Sequence, residues 1–138
     1  MSFQIDVVSI TGKIFSGEAL EVLLPGISGN LAVLGHHMPI VTPLTTGEVI
    51  VKTPKDTLTF SIGKGVFAFE ENVARLLIED VTSADEISEQ NAIEAKRKAE
   101  ELLEKGVAGE QKIQALNILR RSLVDLKIVR KRKKRISL

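Results

Sequence analysis

The segment from Gly47 to Ile62, GEVIVKTPKDTLTFSI, decides the fold of the first half of the chain. It contains two runs rich in Val, Ile, Thr and Phe, Gly47–Thr53 and Thr57–Ile62, and these residue types pack well on a pleated sheet. The turn residues Pro54-Lys55-Asp56 separate the runs. Because no apolar repeat of helical period crosses this break, the segment predicts two short strands.

The same pattern continues through residues 1–84. Phe3–Val7 alternates apolar and polar side chains with a period of two, as a half-buried strand does. Clusters of Gly, Pro and Asn separate the runs. Many short strands with regular turns predict an antiparallel β-sandwich or barrel. The other predicted strands are Glu18–Leu24, Val66–Phe69 and Val73–Val81.

The chain changes character near residue 84. Residues 1–84 contain five basic and nine acidic side chains and all five Phe residues, whereas residues 85–138 contain fourteen basic and nine acidic side chains. Beyond the change, small residues recur at helical spacing, at Ala92, Ala95 and Ala99. We therefore predict two domains, a β-sandwich over 1–84 and an α-helical domain over 85–138.

The helical domain is predicted to be an antiparallel two-helix hairpin, with helices over about residues 86–105 and 110–134. Ser83 or Asp85 can cap the first helix, and Gly106 follows its basic last turn. A seam of alanines buries little apolar area, at ~25 cal/mol per Å². A hairpin with so thin a seam is marginal by itself, which favours a mobile module.

Several function classes are excluded by what the sequence lacks. The chain has no cysteine, which excludes disulfides, thiol catalysis and Cys-ligated metal. It has no apolar run of the ~18 residues that a membrane span needs, and its N-terminus does not resemble a signal peptide. The adjacent His36 and His37 would face opposite sides of a strand, so they do not readily share a metal. We therefore predict no catalytic residue, no metal site and no cofactor.

Two apolar loops are candidates for a contact surface. Leu24–Leu31 and Gly35–Pro43 place apolar residues among glycines and prolines, where exposed chain is usually polar. They either bind a partner or cover an end of the sandwich, and the sequence leaves both roles open. For His37, a structural or interface role is favoured over metal binding.

The basic run Arg130–Arg135 also has several interpretations. It can be a solvated helix end, or it can bind nucleic acid, anionic lipid or an acidic protein surface. No aromatic residue is interleaved with these cations, which argues against base stacking. A nucleic-acid-binding module is the alternative prediction for this chain.

The order of several segments resembles the epsilon subunits of bacterial F-type ATP synthases. Ile87–Glu101 is similar to the first C-terminal helix of that family, and its Glu94–Glu101 portion is especially close to proteobacterial members. The resemblance covers essentially the whole chain in order and length. Three further segments carry it: Phe3–Ser9 with Ile14–Gly17, Gly29–Leu31, and His37–Pro39 closing on Thr42.

The resemblance implies a β-sandwich of about ten strands followed by the hairpin. In the family, the sandwich binds the gamma subunit and the membrane c-ring, turns with the rotor, and couples proton flow to the catalytic head. The hairpin can extend along gamma, where it obstructs rotation and inhibits ATP hydrolysis. The resemblance thus implies a non-catalytic subunit with no nucleic-acid partner, at the cytoplasmic face of the inner membrane and associated with it only through the complex. The implied gamma and c-ring interface comprises Ser28, Gly29, Asn30, Leu31, His37, Met38, Pro39, Val41 and Thr42.

Some family members bind ATP on the folded hairpin through the pattern Ile/Leu-Asp-x-x-Arg-Ala and a later arginine. The matching positions are Ile87, Ser88, Asn91, Ala92 and Lys98. Both the acidic and the basic residue of the core pattern are therefore absent. Asn91 offers no guanidinium fork to phosphate, and Lys98 offers a point charge. We predict weak or absent ATP binding.

Basic residues of the second helix are the candidates for docking to the catalytic head. The resemblance implies contacts between the hairpin and the alpha and beta subunits, with ion pairs to an acidic segment of beta. The candidates are Arg120, Arg121, Lys127, Arg130, Lys131, Arg132, Lys133, Lys134 and Arg135.

Overall fold

The computed structural model describes the backbone of residues 1–136 and the side chains of residues 1–134. The chain divides into two compact units, Met1–Ser83 and Ala84–Leu138. The predicted fold class, a β-sandwich followed by two helices, is confirmed. The described strands are β1 (Phe3–Ser9), β2 (Gly12–Ala19), β3 (Glu21–Gly26), β4 (Gly29–Leu34), β5 (Ile40–Leu44), β6 (Gly47–Lys52), β7 (Thr57–Ile62), β8 (Gly65–Glu70), β9 (Val73–Ile78) and β10 (Val81–Ser83). The second unit contains a short 3-10 helix (Ala84–Glu86), α1 (Glu89–Glu104) and α2 (Glu110–Ile136).

The described strands are hydrogen-bonded into one continuous ten-stranded sheet. We treat it as two sheets that join at one corner, because β3 and β5 pair there through a single pair of residues. One sheet has the order β10-β7-β6-β3-β4, and the other has the order β5-β8-β9-β1-β2. At the corner β3 pairs with β5 through Gly26 and Leu44, next to the turn by which the chain crosses from β5 to β6. The pairing of β1 with β9 is parallel, an exception to the antiparallel pattern that the sequence predicts. The long stretch of chain between these two strands permits a parallel pair.

Alternation along the strands separates a core face from an outer face. In β1, Phe3, Ile5 and Val7 are buried, and the residues between them are not. Phe3 meets Phe69 of β8 edge to face, with ring centroids 5.6 Å apart. The period-two pattern of the sequence therefore sets the face that carries the core. Other fully buried side chains of the sandwich include Phe67, Leu24, Ile62 and Leu76.

Strands β4 and β5 lie in segments that we predicted as apolar loops. β4 pairs with β3 from Gly29 to Leu34, and β5 pairs with β8 from Ile40 to Leu44. Glycine and proline obscured these strands in the sequence, because Pro43 contributes no N–H to a ladder. Conversely, the predicted strands Glu18–Leu24 and Val73–Val81 each divide into two elements.

Helix α1 begins later than predicted. Ser88 is its N-cap: the backbone there is extended (φ −88°, ψ 114°), and its hydroxyl accepts a hydrogen bond from the Asn91 N–H at 3.2 Å. This replaces the predicted caps Ser83 and Asp85, which lie in β10 and in the 3-10 helix. Gly106 follows the helix with φ 77°, a conformation that glycine adopts without strain.

A thin seam of small residues joins α1 and α2. Ala92 and Ala99 of α1 are buried, as are Ala115 and Ser122 of α2. Small side chains let two helices approach closely but bury little apolar area. In the described part of the chain, neither helix has the length and apolar character that crossing a bilayer requires. Larger apolar side chains of the two helices stay exposed, among them Leu102, Ile113 and Leu123.

Candidate protein-interaction surfaces

The β3–β4 turn and β5 enclose a shallow surface depression of about 400 Å³. The turn requires glycine, because a Cβ at Gly26 would lie 2.8 Å from the Gly29 carbonyl oxygen and Gly29 has φ 128°. Ile27 at its tip is 67% exposed. The depression brings together the predicted interface residues Ser28, Gly29, Asn30, Leu31 and Thr42, and its lining also includes Gly26, Ile27, Ile40 and Pro43.

The loop between β4 and β5 carries the other predicted interface residues. The Asn72 side chain holds this loop, since its Oδ1 accepts from the His36 N–H at 2.8 Å and its amide donates to the Ser2 carbonyl at 2.8 Å. His37 Nδ1 donates to the Met38 carbonyl oxygen at 2.7 Å, and the imidazole packs edge to face on Phe69. The imidazole is thus anchored on the core, while the Met38 side chain is 72% exposed. Pro39 is exposed as well.

An apolar strip crosses the outer face of the second sheet. Strand register places Pro43 of β5 opposite Val66 of β8, Val66 opposite Leu77 of β9, and Leu77 opposite Val8 of β1. Val41 precedes Pro43 on the same side of β5 and is 75% exposed, and Leu77 is 57% exposed. We name Val8, Val41, Pro43, Val66 and Leu77 the outer strip. Since Pro43 also lines the depression, the two surfaces are continuous.

The sequence interpretation included Val41 but missed Val66 and Leu77. Both lie at outward positions of β8 and β9, which overlap the predicted strands Val66–Phe69 and Val73–Val81. A signal was available, because an apolar residue at a position that period two assigns to solvent marks a contact surface. Their assembly into one strip depends on strand order, which the local pattern does not contain.

Polar side chains border the outer strip. Asp6 of β1 lies opposite Arg75 of β9 and opposite Ser16 of β2. The Ser16 hydroxyl donates to Asp6 Oδ1 at 2.6 Å, and this hydrogen bond is the main cause that lowers the pKa of Asp6; the Gln4 amide adds to it and burial opposes it. An apolar centre with a polar rim is typical of protein interfaces.

The positions of the nucleotide pattern have structural roles in the hairpin. Ile87 is buried in an apolar cluster with Ile128 and Val129, and Ser88 caps α1. Ala92 is buried in the helical seam. Asn91 and Lys98 are exposed. Asn91 and Lys98 therefore offer a phosphate one exposed amide and one exposed ammonium group.

The predicted docking cations of α2 fall into groups that differ in the contacts they make. Arg132 and Lys133 bind the beginning of the hairpin, and Arg121 Nε lies 3.5 Å from Asp125 Oδ1. Lys131 and Lys134 are exposed and have interactions of their own. The side chain of Arg135 lies outside the described residues. The remaining cations, which are exposed, are Arg120, Lys127 and Arg130.

Among the described side chains, no group of three or more His, Cys, Asp or Glu residues has the arrangement of a metal site. The candidate interaction surfaces lie on the sandwich and on α2.

Comparisons with known proteins agree on one family. The family model described as ATP synthase, Delta/Epsilon chain, beta-sandwich domain matches residues 2–84. The ATP synthase epsilon chain of Dehalococcoides mccartyi is 33% identical over 132 residues, which cover 95% of this chain and 94% of the relative. ATP synthase epsilon chain 1 of Methylococcus capsulatus is 38% identical over 104 residues, covering 75% of this chain and 74% of the relative.

Two solved structures share the fold. A chain in the mitochondrial ATP synthase of Euglena gracilis, in an assembly of OSCP, F1 and c-ring, aligns with a TM-score of 0.77 at 16% identity, covering 86% of this chain and 76% of that one. A chain in the central stalk and c-ring of Tetrahymena thermophila mitochondrial ATP synthase aligns with a TM-score of 0.54 at 9% identity, covering 61% and 68%.

Proposed function

The chain belongs to the ATP synthase epsilon-chain family, and we propose that it is a non-catalytic subunit of the central stalk that couples rotation of the c-ring to ATP synthesis through gamma. It associates with the cytoplasmic face of the bacterial inner membrane through the complex. Its second unit, the hairpin, inhibits ATP hydrolysis when it extends into the catalytic head.

The observation that carries the coupling role is the continuous apolar surface of the sandwich. The outer strip presents Val41 and Leu77 to solvent, and the adjoining depression presents Ile27. We assign the strip to gamma and the depression, with Asn30 and Met38, to the c-ring. The two solved structures that share the fold come from assemblies that contain a c-ring, which supports a place for this chain beside such a ring.

The inhibitory role is supported by the thin seam of the hairpin. Ala92, Ala99, Ala115 and Ser122 are its buried residues, and separating such a seam exposes little apolar area. The exposed cations Arg120, Lys127 and Arg130 are available to an acidic surface of the alpha and beta subunits. A hairpin of low internal stability with a charged outer face can exchange between a folded and an extended state.

Leu77→Asp tests the coupling surface. We expect the variant to bind gamma about tenfold or more weakly, because a carboxylate in the centre of an apolar interface is desolvated without a partner. Affinity is measured by titration calorimetry with purified gamma. The matched control is Leu34→Asp, which changes a 54% exposed leucine of β4 in the other sheet.

Leu34→Asp is expected to bind gamma as the unchanged chain does. Circular dichroism and thermal unfolding of both variants verify that each is folded. Equal binding by Leu77→Asp and the unchanged chain would refute the assignment of the outer strip to gamma. If no form of the chain co-purified with gamma, the stalk role itself would be wrong.

The dissociation constant for ATP and the isolated chain is expected to exceed about 1 mM, because Asn91 gives the phosphates no guanidinium and Ser88 stands where the family pattern has an acidic residue. Calorimetry measures this directly. The double variant Ser88→Asp and Asn91→Arg restores the core of the family pattern, with Lys98 still in place of the later arginine, and keeps a good N-cap, so it should gain affinity. Micromolar binding by the unchanged chain would contradict the prediction.

A further inference from the structure

The basic end of α2 binds the beginning of the hairpin through backbone carbonyls. Arg132 Nη1 donates to the Ala84 carbonyl oxygen at 2.6 Å and to the Ile87 carbonyl oxygen at 3.3 Å. Both N–H groups of this nitrogen are therefore used. We name residues 84–88, which join β10 to α1, the connector. The guanidinium thus ties the end of the second helix to the connector.

Two further contacts lie beside this one. Lys133 Nζ is 2.7 Å from Glu89 Oε2, in the first turn of α1. Ile87 of the connector packs with Ile128 and Val129 of α2 in a small apolar cluster. The Lys133–Glu89 pair is largely exposed, so its contribution to stability is small. Hydrogen bonds from the partly buried guanidinium of Arg132 are charge-assisted and therefore stronger.

The hairpin is consequently held unevenly along its length. Near the connector it has an apolar cluster, an ion pair and the Arg132 hydrogen bonds. Farther along, the buried contacts are Ala99 of α1 and Ala115 and Ser122 of α2. Since alanine contacts stabilise weakly, we expect the end with Arg132 to contribute much of what holds α2 on α1.

We propose that Arg132 is a latch that holds the hairpin closed by binding the connector, and that its release is the step that frees α2. The two N–H groups of Nη1 bind the carbonyls of Ala84 and Ile87, so the same groups cannot bind a carboxylate of a partner at that time. An acidic protein surface that takes over the N–H groups of Arg132 Nη1 therefore opens the latch. This competition rests on the proposed inhibitory function, whereas the latch itself is a property of the chain alone.

Arg132→Gln tests the latch on the isolated full-length chain by amide hydrogen exchange. We expect exchange of the hydrogen-bonded amides of Ile87, Asn91 and Ala92 to accelerate about tenfold, since the hydrogen bonds from Arg132 are lost and this end opens more often. Arg130→Gln is the matched control, because it removes the same charge from an exposed position of the same helix. It should leave exchange at these amides unchanged. Arg132→Lys, which keeps the charge without the fork, should fall between the two.

Amides of the sandwich strands serve as the internal reference and should exchange at the same rate in all variants. Unchanged exchange in Arg132→Gln would overturn the proposal. Equal acceleration in Arg130→Gln would also overturn it, because the loss of one positive charge, and not the loss of the Arg132 hydrogen bonds, would then explain the faster exchange. This experiment uses the isolated chain without a partner. Unchanged exchange would therefore refute the latch without refuting the stalk role. Loss of gamma binding would refute the stalk role without refuting the latch.

Discussion

Lys127→Glu with Arg130→Glu raises the rate of ATP hydrolysis by the assembled enzyme about five- to tenfold, if the hairpin inhibits as proposed. The two cations are exposed in α2, and reversing them converts attraction to an acidic surface of the head into repulsion. The inhibited population then falls. From the sequence alone, charge reversal over the whole run 130–135 would be the natural test. However, Arg132 and Lys133 also contact the beginning of the hairpin, so reversing them would change both the closing of the hairpin and its docking to the head.

The measurement is steady-state ATP hydrolysis of enzyme reconstituted with each variant, over a series of salt concentrations. Lys55→Glu with Lys64→Glu is the control, since it makes the same change in net charge at exposed positions of the sandwich. Salt should activate the unchanged enzyme and have little effect on the Lys127 and Arg130 variant, because screening weakens the same attraction. Identical rates and identical salt dependence in all three enzymes would rule out docking by charge.

Phe67→Ala costs about 3–5 kcal/mol of the free energy of unfolding of the sandwich. Phe67 is fully buried in the centre of β8, and its removal loses apolar contact and leaves a cavity that the two sheets cannot close. Because small domains have about 5–15 kcal/mol of stability in total, this change brings the sandwich close to unfolding. The measurement is urea unfolding followed through NMR signals of sandwich amides.

Val66→Ala is the control for Phe67→Ala, since it shortens the adjacent side chain on the outer face. Its cost should stay below about 1 kcal/mol, because Val66 is 41% exposed. The signals of α1 and α2 report separately on the second unit. Equal destabilisation by both substitutions would mean that β8 does not present Phe67 to the core as described.

Local pattern predicted much of this fold. Period two in β1 placed Phe3, Ile5 and Val7 inside, and the turn after Lys52 separated β6 from β7. Both results depend on residues that are near one another in sequence. β4 and β5 escaped prediction because their pairing residues lie on other strands, and proline and glycine conceal their alternation.

For the interaction surfaces, sequence identified the segments but not how they assemble. Ser28–Leu31 and Thr42 were predicted as one interface, and the structure places them around one depression. Val66 and Leu77 were missed, because an exposed valine or leucine has meaning only beside its neighbours across the sheet.

The sequence by itself determined the division into a sandwich and a hairpin, the small-residue seam, the cation density of α2 and the altered nucleotide pattern at Ser88 and Asn91. These are properties of residue type and spacing. Tertiary structure alone decided that Arg132 is a latch, since its acceptors are the carbonyls of Ala84 and Ile87, 48 and 45 residues away. Every residue has a backbone carbonyl, so no sequence pattern marks the ones that a distant guanidinium will bind.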